Sequence, residues 1–219
     1  MLDLMKPIFT PANLSYMMQG LGMTIMISIG AVFFSIIFGS ILALVRTYAT
    51  GKARILSRII GMYTEFFRCT PNLLWILWIY FTVRGNKVAV SVFAITLFTS
   101  AVVSEIFRGG LNAIPKGQFE AAESQGFSFL QTILYIVWPQ TFRKVIPALL
   151  SQVITIIKDT SFLRMVDIAE FMRNSMVVMA TLTDVRSMMI LYAFEALCYF
   201  AICFTLSVVV RLYRKRQAV

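Results

Sequence analysis

Apolar stretches long enough to cross a bilayer recur along the chain, separated by short polar segments that are mostly basic. The clearest runs from Leu21 to Val45, 25 residues without a charge, where a membrane helix needs about 20. Ser35, Gly39 and Ala43 recur within it at intervals of four, setting small side chains on one face and permitting close approach of a neighbouring helix. Residues 59–83 predict a second span, interrupted by Glu65 and Arg68 and holding Pro71. Residues 88–107 predict a third, with Glu105 inside. A weaker fourth covers 147–163; its uncharged part stops at Ile157, before Lys158 and Asp159, and its length also fits a re-entrant or buried helix. Ser187 to Val210 predicts a fifth span, with Glu195 inside. The expected fold class is therefore an all-α membrane protein with five transmembrane helices. Residues 1–20 read as a leader or interfacial segment, 21–210 as the transmembrane domain and 211–219 as a basic tail.

Composition supports the same class. Of 219 residues, 59% are hydrophobic and 14% charged, against about 45–50% and about 25% in soluble domains. The net charge of +10 would suggest nucleic acid in a soluble protein, but here the basic residues flank apolar runs and report topology. With five spans and the tail inside, the N-terminus lies outside. Twelve basic residues then fall in cytoplasmic segments (46–58, 108–146 and the tail) and six in external ones. The chain has no histidine, which excludes histidine catalysis and histidine metal sites. Cys69, Cys198 and Cys203 all sit in apolar stretches without a metal-binding spacing.

Residues 108–146 break the apolar pattern and form a polar cytoplasmic excursion between spans three and four. Gln118 to Gln125 has helix-forming composition. Phe119, Ala122 and Gly126 share one face, where small side chains would let a partner come close, and Gly126 suits a helix end. Ser128 with Gln131 matches a capping box that opens a second short helix. That helix is expected to stop near Trp138, because a residue before proline avoids the helical region. The resulting helix–glycine–helix unit is either a docking element or a self-packed loop.

Several segments then resemble, in order along the chain, the membrane subunits of ABC importers of the polar amino acid (histidine/glutamine) type. Glu120-Ala121-Ala122, Gly126 and Pro139 resemble the EAA coupling motif, with Lys116-Gly117-Gln118 before it and Gln140, Arg143 and Pro147 after it. Glu65-Phe66-Phe67-Arg68-Cys69-Thr70-Pro71 resembles E-x-x-R-G-T-P, Glu105 to Leu111 the third-span signature, and Lys158-Asp159-Thr160-Ser161 the K-D-T-S of the fourth span. Cys69 replaces a usual glycine, Trp75 a common glutamine and Phe162 a usual leucine, departures that bear on substrate rather than class.

The resemblance implies a permease subunit, not an enzyme, in a bacterial plasma membrane, importing a polar amino acid. Glutamine or glutamate stands foremost, with arginine, histidine and cystine open. It implies a cytoplasmic ATPase dimer that holds the ATP and Mg, a second permease subunit identical or not, and an external or periplasmic binding protein. This chain binds no cofactor or metal of its own in that reading, and it lacks G-x-x-x-x-G-K-[ST]. The ATPase-coupling residues implied are Gly117, Gln118, Glu120, Ala121, Ala122, Gly126 and Pro139, in a loop of about 115–139. Charges at span depth are costly, so the substrate-path candidates are Glu65, Arg68, Thr70, Pro71, Glu105, Lys158, Asp159, Thr160 and Ser161. The charged ones either line a route for a zwitterion or neutralise one another, Glu65 and Arg68 being spaced to pair directly. Glu195 reads as a packing residue. Half of a secondary transporter and a non-transporting scaffold are the rival classes.

Overall fold

The computed structural model describes residues 5–217, with the side chains of 214, 216 and 217 outside the description. Asp3 and the end of the basic tail therefore lie outside the described residues. The described chain is helical, without strands. We number the helices α1 (Pro11–Tyr48), α2 (Arg54–Arg68), α3 (Asn72–Thr82), α4 (Lys87–Asn112), α5 (Lys116–Ser124), α6 (Phe129–Val166), α7 (Phe171–Met179) and α8 (Val185–Gln217). Four of these, α1, α4, α6 and α8, are long and apolar enough to cross a membrane, and α3 is a shorter apolar helix.

Boundaries differ from the expectation where local chemistry overrides the apolar pattern. Helix α1 starts at Pro11, whose missing N–H costs nothing in a first turn. Thr10 accepts the Asn13 N–H at 3.2 Å as its cap, so residues 11–20 are helical and continuous with the apolar run that follows. The single stretch expected over 59–83 is two helices. Helix α2 ends at Cys69, and Pro71, which cannot donate a helical N–H, precedes α3. Helix α8 runs unbroken into the tail, carrying Arg211 and Lys215.

The stop expected near Trp138 is absent: α6 continues through Pro139 and Pro147. Residues Thr132–Val137 form a π-turn immediately before Pro139. Its wider spacing changes which carbonyl faces the proline ring, and such turns occur as single insertions in α-helices. Trp138 keeps helical dihedrals (φ −62°, ψ −48°).

Contacts divide the chain into two compact units. One comprises Phe33–Asn72 and Leu97–Gln152. Its core joins Ala43 of α1, Val103, Phe107 and Leu111 of α4, and Ile133, Val137, Val145 and Leu149 of α6. Phe107 stacks on Trp138 with centroids 5.2 Å apart. The small-residue face of α1 is used here: Ser35, Gly39 and Ala43 are all buried, and a Cβ on Gly39 would meet Val103 Cγ1 at 2.6 Å. The other unit comprises Met1–Val32, Leu73–Thr96 and Val153–Val219. Its core gathers Ile8 and Met17, Phe171, Val178 and Met179 of α7, Leu182 of the connection that follows, and Leu191 of α8. Asn174 Nδ2 donates to the Tyr16 carbonyl at 2.9 Å and the Phe171 N–H to Thr24 Oγ1 at 3.2 Å, fastening α7 to α1.

Candidate functional site

Helix α5 is short, nearly all exposed, and ended by a specific device. The Phe127 N–H bonds the Ala122 carbonyl at 3.1 Å and the Gly126 N–H the Glu123 carbonyl at 2.9 Å, the paired pattern of a glycine-ended helix. Gly126 has φ +79°, a conformation that costs an L side chain about 1–2 kcal/mol. The capping box forms as expected: the Gln131 N–H reaches Ser128 Oγ and Gln131 Oε1 accepts the Ser128 N–H at 2.8 Å. Gly117, Gln118, Glu120, Ala121 and Gly126 are exposed, and so is Pro139. Ala122, however, is buried, and Phe119 is half-buried against Tyr48. The face expected to admit a partner is thus partly turned onto the chain's own core, leaving Gly117, Gln118, Glu120 and Ala121 as the outward surface. Two polar contacts fix α5 and its approach to α6: Gln140 Nε2 donates to Gln118 Oε1 at 3.1 Å, and Lys144 Nζ to the Ala113 carbonyl at 2.9 Å. Beside them Tyr135, Ile136, Pro139, Gln140 and Arg143 line a depression of about 340 Å³.

The same unit holds a charge cluster that residue spacing does not reveal. Arg108 donates from Nε at 2.9 Å and Nη2 at 2.6 Å to Glu105 Oε2. Arg46 Nη1 donates to Glu105 Oε1 and, at 2.8 Å, to Thr64 Oγ1. Both carboxylate oxygens are therefore committed to guanidinium groups, and α1, α2 and α4 are tied at one point. Glu65 and Arg68 do not pair with each other; both are exposed. They lie with Arg54 and Arg58 on a polar strip of α2, beside an exposed apolar strip of Ile55, Ile59, Met62 and Phe66 and a buried one of Ile60, Thr64 and Phe67. The Thr70 hydroxyl returns to the Phe66 carbonyl at 2.8 Å, and Pro71 is exposed.

Lys158, Asp159, Thr160 and Ser161 belong to the other unit, at the corner where α6 tightens into its last, 3₁₀ turns. Lys158 is exposed and Thr160 buried. The Thr160 hydroxyl donates to the Ile157 carbonyl and the Ser161 hydroxyl to the Lys158 carbonyl, each at 2.7 Å. Lys158 and Ser161 line a cavity of about 290 Å³ with Met172 of α7 and Tyr192, Glu195, Ala196 and Tyr199 of α8.

Two acidic residues in this unit were not expected as site residues. Glu170 caps α7, accepting the N–H groups of Met172 at 2.9 Å and Arg173 at 2.6 Å, while the Tyr199 hydroxyl donates to it at 3.3 Å. It is fully buried. Burial pushes its carboxyl up to about 7, against the opposing pull of those N–H donors. Glu195, expected only to pack, is buried in the cavity wall. Its one signal in the sequence is that it is the sole acidic residue in an otherwise uncharged run.

Residues 35–219 match the family model described as the binding-protein-dependent transport system inner membrane component. The chain belongs to that family. Permease subunits of this family are not themselves enzymes, the ATPase being a separate subunit. The chain is 33% identical to a probable glutamine ABC transporter permease of Bacillus subtilis, over 95% of this chain and 97% of the relative. It is 30% identical to a glutamate/aspartate import permease of Escherichia coli (94% and 95% covered). It is 34% identical to an L-cystine transport permease of Bacillus subtilis (83% and 80%). Among solved structures, an amino acid ABC transporter crystallised with histidines superposes with a TM-score of 0.80 at 26% identity, over 92% of this chain and 94% of that one. An inward-facing methionine ABC transporter shares the fold at a TM-score of 0.75 and 15% identity. The permease is accordingly an integral membrane subunit of an amino acid ABC importer, and the secondary-transporter and scaffold classes are set aside.

Proposed function

We propose that this permease carries a polar amino acid, with glutamine or glutamate foremost, into a bacterial cell across the plasma membrane. In this reading α2 and α3, of 15 and 11 residues, together make a broken span, since about 20 residues suffice. The five spans then leave the N-terminus outside and the basic end of α8 inside. An external binding protein delivers cargo, and a second permease subunit, identical or related, completes the path. The polar strip Arg54, Arg58, Glu65 and Arg68 is costly against lipid and instead borders that path, with Thr70 and Pro71 at the break. Lys158, Asp159, Thr160 and Ser161 are further substrate-path residues in this reading.

The observation that carries the coupling assignment is the surface of α5: a rigid, glycine-ended helix presenting Gly117, Gln118, Glu120 and Ala121 outward while Phe119 and Ala122 are seated on the helical core. A cytoplasmic ATPase dimer grips this surface, with Pro139 beside it. ATP and Mg on that partner supply the energy. The chain's own residues transmit it, because α5 is bonded to α6 through Gln118–Gln140 and packed against α1 through Phe119–Tyr48.

The test is uptake of radiolabelled glutamine and glutamate by proteoliposomes holding the permease, its ATPase and the binding protein. Glu120→Lys and Gly126→Asp insert normally, and ATP hydrolysis continues without uptake. Normal uptake by both variants sinks the docking assignment, and uptake that needs no ATP sinks the coupled mechanism.

A further inference from the structure

Five residues of α6 line the 340 Å³ depression: Tyr135, Ile136, Pro139, Gln140 and Arg143. Their spacing places all five on one face of that helix. A regular helix face is convex, so the hollow needs a cause. Tyr135 and Ile136 belong to the π-turn of Thr132–Val137, and Pro139 follows it without an N–H. Turns of this kind recur at functional sites. The volume exceeds the lower end for small-molecule sites, about 300 Å³.

Position along α6 sets what the hollow faces. Arg143 and Lys144 are the last charges before Val145–Ile157, 13 uncharged residues. A basic pair in that place marks the level where a spanning helix leaves the hydrocarbon, because long basic side chains reach for the headgroups. Lys144 Nζ is used by the Ala113 carbonyl at 2.9 Å, whereas Arg143 lines the hollow. A guanidinium presents a planar fork that fits phosphate oxygens. No acidic residue occurs between Glu123 and Asp159, so nothing along this stretch of α6 repels an anion. The Gln140 amide donates to Gln118 Oε1 at 3.1 Å and to the Ile136 carbonyl at 2.9 Å, which fixes that part of the wall. Tyr135 is 70% exposed, and tyrosine is a side chain that membrane interfaces favour. Ile136 and Pro139 make the floor apolar, and Leu134 and Phe142 beside it are exposed as well.

We propose that this depression is a seat for the headgroup of an anionic phospholipid of the cytoplasmic leaflet, with its phosphate on Arg143 and its glycerol against Tyr135 and Pro139. The proposal rests on the permease reading, which puts this end of α6 at the cytoplasmic surface. The seat adjoins the Gln118–Gln140 contact that ties α5 to α6, so the bound lipid braces the coupling unit.

The test reconstitutes the permease–ATPase complex in vesicles of phosphatidylcholine, alone or with one quarter phosphatidylglycerol. Native mass spectrometry then counts the lipids retained after detergent extraction. Wild type is expected to retain phosphatidylglycerol over phosphatidylcholine. Arg143→Gln lowers that retention about fivefold, the weight of one basic residue near an anionic surface; Arg143→Lys, which keeps the charge without the fork, falls between. Lys52→Gln removes an exposed charge elsewhere and leaves retention unchanged. Tyr135→Ser weakens retention severalfold, and because Tyr135 is so exposed this variant decides the matter even if Arg143→Gln fails to assemble. Equal retention of the two lipids by wild type overturns the proposal, as does unchanged retention in both Arg143→Gln and Tyr135→Ser. An equal loss in Lys52→Gln overturns it in favour of a diffuse basic collar, and displacement of the lipid by inorganic phosphate in favour of a soluble anion. Retention by the permease alone that vanishes in the complex assigns the hollow to the ATPase and overturns it too. ATP-driven glutamine uptake in the same vesicles separates the two levels. Its absence in wild type defeats the permease reading, whereas uptake with unselective retention defeats the seat alone.

Discussion

Gly109 and Gly110 are neighbours on α4, and the structure assigns them opposite responses to the same substitution. A Cβ at Gly109 meets nothing within 4 Å. A Cβ at Gly110 would stand 2.3 Å from Val145 Cγ1 and 3.1 Å from Thr141 Cγ2. Val145 and Thr141 are both buried and cannot swing away. Alanine in place of glycine favours a helix by about 1 kcal/mol at either site, so that gain cancels when the variants are compared. What remains is the overpacking at Gly110, about 1–3 kcal/mol. At about 2–4 °C per kcal/mol for a chain of this size, Gly110→Ala is expected to melt roughly 2–12 °C below Gly109→Ala. The assay is thermal unfolding of the detergent-purified permease, followed by tryptophan fluorescence. Val145→Ala in the Gly110→Ala background removes the obstructing methyl and recovers part of the loss. Equal melting temperatures for the two single variants would refute the packing of α4 on α6 through Gly110.

Three further outcomes are expected. Gly126→Ala meets no steric obstacle but strains a φ of +79° by about 1–2 kcal/mol; the ATP hydrolysed per glutamine taken up rises, and Gly126→Asn, better tolerated in that conformation, has the smaller effect. Glu105→Gln removes the shared counter-charge of Arg46 and Arg108 and destabilises by about 1–3 kcal/mol, between an exposed pair and a buried one, read as a lowered unfolding midpoint. Glu170 has its carboxyl raised from 4.5 to about 7, chiefly by burial, so the folded state holds its proton more tightly than the unfolded one. The stability this contributes is present below about pH 4.5 and is lost as pH rises to about 7; Glu170→Gln should flatten the melting temperature over that window, and an unchanged slope would remove Glu170 as its source.

The parts that could be read from residues alone are those decided by short-range chemistry. The uncharged runs of α1, α4 and α8, the Gly126 helix end and the Ser128–Gln131 cap all depend on residues within a few positions of one another. The continuation of α6 through Pro139 escaped that reading because a π-turn has no residue signature of its own. Pro71 was visible as an interruption, but two helices follow from it only once the backbone is traced. Glu105 was visible as a buried charge, yet its partner Arg46 lies 59 positions away, and helical spacing suggested Glu65 with Arg68 instead. Glu170 was hidden in a polar, charge-balanced segment, where nothing distinguishes a buried cap from a solvated acid. Glu195 stood out as a lone acid, but its neighbour Ser175 belongs to α7, twenty positions earlier in the chain, so helical spacing on α8 could not supply it.

The π-turn at Thr132–Val137 gives helix α6 one residue of slack. Such a turn amounts to one residue more than a regular helix would use, and each residue of an α-helix turns the chain by about 100°. Trimming one residue there lets the stretch close into regular α-helix and keeps Thr141, Val145 and Leu149 facing Phe107, Gly110 and Leu111, whereas trimming one from the regular helix that follows rotates everything downstream and brings lipid-facing positions inward. A one-residue deletion in this stretch is therefore far less disruptive than the same deletion elsewhere in α6, and that asymmetry is a genetic signature of the turn that a deletion scan can read without purifying the protein.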